Sequence, residues 1–190
     1  MVNAVRNQFV PDYAVHPGEI LEEILEAQSI SKTEFAERSG LTPKTISWIV
    51  TGKNPVTSEN AIVFERILGI SAEVWNNLDA EFRLFQARQK ARDSLEVRLK
   101  SIFDAILYRC NVPKCKGYHN YGGRGIKCLF KNFAEFYAYV TDVLWVIDIQ
   151  QIDGLEIDRI DNDGNYEPGN IRFVTHKENA NNRRPGKRVA

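Results

Sequence analysis

Residues 31–52, SKTEFAERSGLTPKTISWIVTG, constrain the fold most, because they predict two very short helices joined by a tight turn. Ser31 and Glu34 have the spacing of a capping box, in which each side chain binds a backbone amide at a helix N-terminus. Gly40 readily takes the left-handed conformation that ends a helix. Thr42 and the proline after it are typical of an N-cap and a first helical position, so a second helix begins there.

Apolar residues at helical spacing extend this pattern into an all-α domain of five helices. A fourth helix is predicted from Ser58 to Leu68, and Ser71 caps a fifth. The apolar stripes of the first three helices consist of Ile20, Leu21, Ile24, Leu25, Phe35, Ala36, Ile46, Ile49 and Val50. Two short helices joined by a turn that contains glycine form a helix-turn-helix.

The second helix of such a motif enters the major groove of DNA, where side chains near its N-terminus reach the base edges. Hydroxyl and basic groups, which donate to bases and phosphates, are abundant there. The predicted DNA contacts of this helix and the turn after it are Thr42, Lys44, Thr45, Ser47, Trp48 and Lys53. Ser31 and Lys32 begin the preceding helix, where free amides can hold a phosphate. A helical bundle with no DNA role is the alternative. Taken individually, Trp48 and Trp75 are more typical of core or interface residues than of DNA contacts.

Three segments, HPGEILEEIL, SKTEFAERSGLTPKTISWIVTGKNPVT and AIVFERILGISAEVWNNLDAEF, resemble the HigA-type antitoxins of the Xre helix-turn-helix family. The resemblance covers residues 15–89, and His16 to Glu19 match the start of that family's first helix. It implies a protein that binds double-stranded DNA, represses its own promoter, forms a homodimer and has a toxin protein as partner.

A change of pattern near residue 93 indicates a domain boundary. Residues 85–93 are polar and favour a helix, and no proline or glycine interrupts them. A new apolar stripe follows, formed by Leu95, Leu99, Ile102, Phe103, Ile106 and Leu107. We therefore predict a mainly α protein with a helix-turn-helix domain in residues 1–93 and an α+β domain in residues 94–190, joined by a semi-rigid helical segment.

The net charge of zero conceals an uneven distribution of charge. Residues 105–134 contain no acid, whereas residues 142–167 contain eight acids and a single base, Arg159. Basic residues return near the end of the chain, at Arg183, Arg184, Lys187 and Arg188. Basic segments around an acidic one suit a phosphate-binding surface with a metal site, and a solvated surface with chance clustering is the alternative.

The segment YHNYGGRGI, residues 118–126, places three glycines around Arg124. Glycine lets the backbone approach a ligand closely, so we predict that Arg124 and Lys127 bind DNA here. A tight hairpin turn without a ligand explains the same glycines. A helix is predicted beyond this segment, marked by Phe133, Phe136, Tyr137 and Val140.

Two strands and a helix are predicted at the end of the chain. Residues 156–160, EIDRI, alternate as a strand does, and residues 171–174, IRFV, form the second strand. Thr175 and Glu178 make a second capping box, which opens a helix through Asn182. Acids on a strand and amides on a helix can gather around one divalent cation, because their oxygens suit a hard metal ion.

The string EIDRIDNDGNYEPGNIRFVTHKENANNRR, with YGGRGI before it, resembles HNH nucleases of the ββα-metal class, in particular phage and intron-associated proteins. The resemblance covers residues 108–184. It implies metal ligands at Asp158 and Asn179, with Asn170 as the middle asparagine. It also implies Mg²⁺ or another divalent cation as cofactor, which stabilises charge on a scissile phosphate.

Arg159 stands where that family has its histidine general base, and it stays protonated at physiological pH. His176, beside Asn179, is the other candidate catalytic residue, with His119 and Tyr121 as weaker ones. Two functions therefore remain open. One is a repressor or antitoxin-like DNA reader with an appended DNA-binding module. The other is a metal-dependent DNA endonuclease that the helix-turn-helix targets.

Three cysteines and the absence of long apolar runs bear on whether the protein binds zinc, forms disulfides or enters a membrane. Cys110, Cys115 and Cys128 with His119 can be drawn as a zinc site, but their spacing lacks the paired C-x-x-C form, which favours buried thiols. An odd number of cysteines argues against a disulfide framework. The N-terminus has no signal-peptide pattern and no segment reaches the roughly 18 apolar residues of a membrane span, so we expect a cytoplasmic protein.

Overall fold

The computed structural model describes residues 13–182, which fall into two compact units. The N-terminal domain ends at Arg88 and the C-terminal domain begins at Gln89, a few residues before the boundary that the sequence predicts. The predicted basic tail at Arg183, Arg184, Lys187 and Arg188 lies outside the described residues. No helix among residues 13–182 is long and apolar enough to cross a membrane.

The N-terminal domain is built from helices, as predicted. They are α1 (Pro17–Ala27), α2 (Lys32–Ser39), α3 (Pro43–Val50), α4 (Ser58–Leu68) and the first part of α5 (Ala72–Asn111). The last of these runs without interruption through the point where the two units divide, so the predicted helical connection is present. The two short helices of the predicted helix-turn-helix are α2 and α3.

Side-chain caps set the start of these short helices. The Ser31 hydroxyl accepts a hydrogen bond from the Glu34 amide at 3.1 Å, and the Thr42 hydroxyl accepts one from the Thr45 amide at the same distance. The reciprocal half of the predicted box at Ser31 differs, because the Glu34 carboxylate forms an ion pair with Arg38 one turn along α2. An ion pair on the helix surface thus competes with the backbone for this acid.

The core of the N-terminal domain collects the predicted apolar stripes. Its buried members are Leu21, Leu25, Phe35, Ala36, Ile46, Ile49, Val56, Ala61, Phe64, Leu68 and Trp75. Phe64 lies between Phe35 and Trp75, with ring centroids 5.2 Å and 5.4 Å away. Trp75 is therefore a core residue, as expected for this tryptophan.

His16 and Gly18 join the start of α1 to the end of α3. The His16 Nδ1 atom accepts a hydrogen bond from the Gly18 amide at 2.9 Å and caps α1, while its ring meets Phe82 edge-on at 4.6 Å. A side chain at Gly18 has no room, since a Cβ atom there would overlap the Ile49 carbonyl oxygen and come within 2.5 Å of that of Val50. This close approach sets where α3 lies against α1.

The C-terminal domain combines the end of α5 with short elements. They are α6 (Phe133–Ala138), a π-helical turn (Tyr139–Val143), β1 (Glu156–Arg159), β2 (Ile171–Val174) and α7 (His176–Asn181). The strands pair antiparallel, with Asp158 opposite Arg172. The predicted capping box of Thr175 and Glu178 is formed, and hydrogen bonds from Thr175 lower the pKa of the Glu178 carboxyl.

The glycine segment forms two 3-10 turns, Tyr118–Asn120 and Gly122–Arg124, so its interpretation as a hairpin was wrong. The first strand ends at Arg159, one residue earlier than predicted. A Cβ atom at Gly122 would overlap the Cys110 carbonyl oxygen and lie 2.8 Å from the Cys110 carbonyl carbon. The turn therefore packs directly on the backbone of α5.

The core of the C-terminal domain is separate from that of the N-terminal domain and is largely aliphatic and aromatic. Its buried members include Leu95, Leu99, Phe103, Ile106, Cys110, Phe130, Phe136, Val140, Ile152, Tyr166 and Ile171. The apolar stripe predicted from Leu95 onward thus belongs to this second core. Together these contacts fix the turn segments and the two-stranded sheet against α5.

Candidate DNA-binding surface and C-terminal cavity

The outer face of α3 carries the polar side chains predicted to contact DNA. Thr42, Lys44, Ser47, Trp48 and Lys53 are exposed, and Thr45 is half-buried. Ile46 and Ile49 anchor the opposite face of the helix in the core. The helix therefore presents its donors to solvent on a fixed support, as a helix that enters the major groove requires.

Two side-chain contacts order this face of α3. The hydroxyl oxygens of Thr42 and Thr45 lie 2.9 Å apart and share a hydrogen bond. The Lys44 ammonium lies 4.5 Å from the centroid of the Trp48 ring. Trp48 is 37% exposed, so this aromatic ring belongs to the surface and not to the core.

The start of α2 is already engaged within the domain. Ser31 uses its hydroxyl to cap the helix, and Lys32 forms an ion pair with Glu22 of α1. The lysine charge is therefore partly compensated. A phosphate at this helix start would rely on backbone amides more than on the lysine that the sequence suggested.

A cavity of about 540 Å³ opens in the C-terminal domain between the glycine segment, β1 and α7. It brings together Asp158, Arg159, Arg124 and Asn179, which the sequence had singled out one by one. Its complete lining is Asn120, Tyr121, Arg124, Ile157, Asp158, Arg159, Asn162, Tyr166 and Asn179.

Asp158 is held by neighbours on both sides. It is 7% exposed, and its Oδ2 atom accepts hydrogen bonds from Arg172 Nε at 3.1 Å and Nη2 at 2.9 Å. Asn182, at the end of α7, donates to both carboxylate oxygens at 3.0 and 3.2 Å. A buried carboxylate needs such partners, because burial otherwise disfavours its charge.

His176 and Asn179 of α7 both bind Glu156. His176 Nδ1 lies 2.8 Å from one Glu156 carboxylate oxygen, and the Asn179 amide donates to the other. His176 is strongly exposed and does not line the cavity, whereas Asn179 does. Of the two candidates on this helix, only Asn179 thus lines the cavity.

Arg159 is a buried cation, 5% exposed, in the position that the resemblance gives to a general base. Its Nη1 donates to the Gly164 carbonyl at 2.9 Å and its Nη2 to the Asn162 side chain at 3.2 Å. The guanidinium carbon lies 5.3 Å from the Tyr121 ring and 5.1 Å from the Tyr166 ring. The residue therefore ties the turn after β1 to two aromatic rings.

Arg109 of α5 approaches the same two tyrosines, at 5.0 Å from the Tyr121 ring and 5.1 Å from the Tyr166 ring. Its Nε atom is buried and has no hydrogen-bond partner among the residues that the structure describes. Burial raises the pKa of the Tyr166 hydroxyl, although both arginines oppose the shift. The guanidiniums of Arg109 and Arg159 therefore contact the same pair of tyrosine rings.

Arg124 lines the cavity and is held by neighbouring residues instead of projecting freely. It forms an ion pair with Asp163 and donates to the Asn162 backbone carbonyl at 3.3 Å, while Lys127 is exposed beyond it. Asn162 and Asn182 are the residues of the candidate site that the sequence pattern did not indicate. Their position in an asparagine-rich turn and tail gave no local signal of the contacts they make.

The structure offers few side chains that could coordinate a metal ion at the sites suggested by the sequence. Within residues 13–182, no group of three His, Cys, Asp or Glu residues is placed to hold a metal ion. Asp158 already accepts hydrogen bonds on both oxygens, so a cation must compete with Arg172 and Asn182 for them. The three cysteines are free thiols, and burial raises the pKa of Cys110 and of Cys128.

Comparison with known proteins places residues 21–75 in a family described as helix-turn-helix. The chain is 36% identical over 73 residues to the uncharacterized HTH-type transcriptional regulator YddM of Escherichia coli strain K12, covering 38% of this chain and 78% of the relative. It is 34% identical over 77 residues to virulence-associated protein I of Dichelobacter nodosus, covering 40% of this chain and 71% of the relative.

A solved structure of the Pseudomonas aeruginosa antitoxin HigA with the higBA promoter is 30% identical to the matched part of this chain. The match covers 44% of this chain and 92% of that protein, with a TM-score of 0.41. All of these similarities span less than half of the chain.

Proposed function

The N-terminal domain makes this chain a member of the helix-turn-helix family of transcriptional regulators. We propose that the protein recognises a specific sequence of double-stranded DNA with α3. The observation that carries the proposal is the row of exposed donors on α3 and on the residues that flank it, Thr42 and Lys53, opposite a buried apolar face. The protein is accordingly a DNA-binding transcriptional regulator, and the base contacts are the part to be tested.

Replacing Lys44 and Thr45 by alanine should weaken specific DNA binding by about 1–3 kcal/mol for each of the two side chains that contacts a base. Neither side chain is in the core, so the fold should survive. The measurement is a gel-shift titration with a duplex that the wild-type chain has selected from a random pool. Glu23→Ala, an exposed change on α1, is the matched control, and unchanged operator preference in the double variant would contradict the assignment.

The family resemblance supports two further proposals about partners. We propose a homodimer, whose half-sites should lie about one DNA turn, ~34 Å, apart. We also propose a toxin protein as a partner in the cytoplasm. A footprint without two-fold symmetry contradicts the dimer. The antitoxin role is contradicted if the chain is a monomeric, fully active repressor and no partner protein is encoded beside it.

We propose that the C-terminal domain is an HNH-like module that increases the affinity of the protein for DNA. Its support is a pair of guanidiniums, Arg159 in the cavity lining and Arg109 of α5, that lie against the same two tyrosine rings, while the Asp158 carboxylate is paired with Arg172. Arg124 also lines the cavity, and Lys127 is exposed three residues further along the chain. Phosphate oxygens are the anions that such a surface would attract when the protein is on DNA.

A metal-dependent nuclease is the second candidate, because Asp158 and Asn179 line one cavity. These two residues would hold Mg²⁺, and Mg²⁺ would supply charge stabilisation at a phosphate. Against cleavage stands Arg159, which is buried between two tyrosines and cannot accept a proton from water. We therefore favour binding without cleavage.

The purified 190-residue chain should leave supercoiled plasmid intact with Mg²⁺ or Mn²⁺, and chelation of divalent ions should not change its affinity for DNA. Arg159→His supplies a titratable base in the same position, so nicking by this variant would identify a silenced nuclease. Nicking by the wild-type chain that Asp158→Asn abolishes would overturn our preference. Circular dichroism of each variant checks that the C-terminal domain is folded.

A further inference from the structure

The contact between Lys44 and Trp48 indicates a role for Trp48 on the DNA-binding surface that the chemistry of a tryptophan alone does not indicate. The two residues are four positions apart, so they lie on the same face of α3. The Lys44 ammonium is 4.5 Å from the ring centroid of Trp48. Within residues 13–182, no carboxylate forms an ion pair with Lys44, so its ordering depends on this ring.

Packing does not account for the tryptophan at position 48. The hydrophobic cluster of the N-terminal domain contains its neighbours Ile46 and Ile49 but not Trp48. More than a third of the residue is exposed, on the side of α3 that faces away from the core. A large aromatic side chain in this position is thus available to act on the surface itself.

An unrestrained lysine is a poor reader of sequence. Its stem is flexible, and its compact charge binds any phosphate within reach, which adds affinity without discrimination. An ammonium held over an aromatic face is attracted by the ring quadrupole. Restricting the side chain before DNA arrives also reduces the conformational entropy lost on binding.

Taken with the proposed reading of DNA by α3, on which it rests, this geometry leads us to propose that Trp48 is a positioning residue. Trp48 holds Lys44 beside the Thr42–Thr45 pair, on the base-reading face, and away from the phosphates. Sequence discrimination by this protein then depends on the aromatic face of Trp48, although the base contact itself is made by Lys44.

A double-mutant cycle on the 190-residue chain separates positioning from direct contact. Trp48→Leu keeps an apolar side chain but removes the aromatic face, and Trp48→Phe keeps the face. Binding is measured to a duplex selected by the wild-type chain and to a scrambled duplex of equal length. Thermal melts confirm that the exposed substitution leaves the fold intact.

We expect Trp48→Leu to weaken binding to the selected duplex about 3- to 10-fold and Trp48→Phe to retain most of the affinity. The affinity for the scrambled duplex, and the dependence of that affinity on salt concentration, should be the same as for the wild-type chain. In a Lys44→Ala background, Trp48→Leu should have no further effect, because the group that it positions is gone.

Three results overturn the inference. Additive effects in the double variant mean that Trp48 contacts DNA by itself. Equally weakened binding of both duplexes means a general effect on the surface. Weaker binding by Lys44→Ala but not by Trp48→Leu means that the lysine needs no support, and this leaves the proposed function standing. If the wild-type chain selects no sequence at all, the proposed function fails first.

Discussion

Gly122→Ala should lower the stability of the C-terminal domain by about 3 kcal/mol or more, which corresponds to a fall in melting temperature of about 10–20 °C. The added methyl group would overlap the Cys110 carbonyl oxygen and lie 2.8 Å from its carbonyl carbon. Cys110 is buried in α5, so the obstacle is helix backbone and cannot be relieved by a change of rotamer.

The melt can be followed by near-ultraviolet circular dichroism, with Gly117→Ala as the matched control. Gly117 has an ordinary backbone conformation, with φ of −87°, and a Cβ atom there would meet Tyr121 at 3.7 Å, which is normal contact. The control should melt like the wild-type chain. A Gly122→Ala protein that did the same would show that the turn does not rest on α5.

Gly18→Ala should destabilise the N-terminal domain by a similar amount, about 3 kcal/mol, and should abolish specific DNA binding. The methyl group would meet the carbonyl oxygens of Ile49 and Val50, the last two residues of α3, and the His16 ring at 2.6 Å. Either α3 shifts or α1 loses its cap, and both changes disturb the surface that reads DNA.

Chemical denaturation and a gel-shift titration measure the two consequences of Gly18→Ala together. Glu23→Ala on the exposed side of α1 is the control and should change stability by no more than about 0.5 kcal/mol. If the Gly18→Ala protein has normal stability and normal DNA affinity, α3 does not pack closely against α1 at Gly18.

Local signals in the sequence predicted the elements of this fold well. Ser31, Thr42 and Thr175 each cap the helix expected of them, because a cap needs only residues three positions apart. The strand pair was predicted for a similar reason, from alternation and a turn. At Glu34 the local rule failed, because Arg38 offered the carboxylate a charged partner.

The candidate site depends on contacts between distant residues, which sequence patterns do not reveal. Arg159 was expected at the site, but its burial between Tyr121 and Tyr166 follows from the packing of the glycine segment on β1. Asn162 binds Arg159 and the end of α7 at once, which only the folded chain brings together. Likewise, the exposure of Trp48 could not be separated from burial by its spacing alone.

The three tryptophans give this protein a set of intrinsic optical reporters. Trp75 is fully buried in the N-terminal core, Trp48 lies on the face proposed to meet DNA, and Trp145 is 72% exposed in the C-terminal domain. Indole emission depends on the polarity around the ring, so the three residues contribute different wavelengths to one spectrum. With single tryptophan-to-phenylalanine replacements, unfolding of the first core and arrival of DNA could be recorded in one cuvette, without any attached dye.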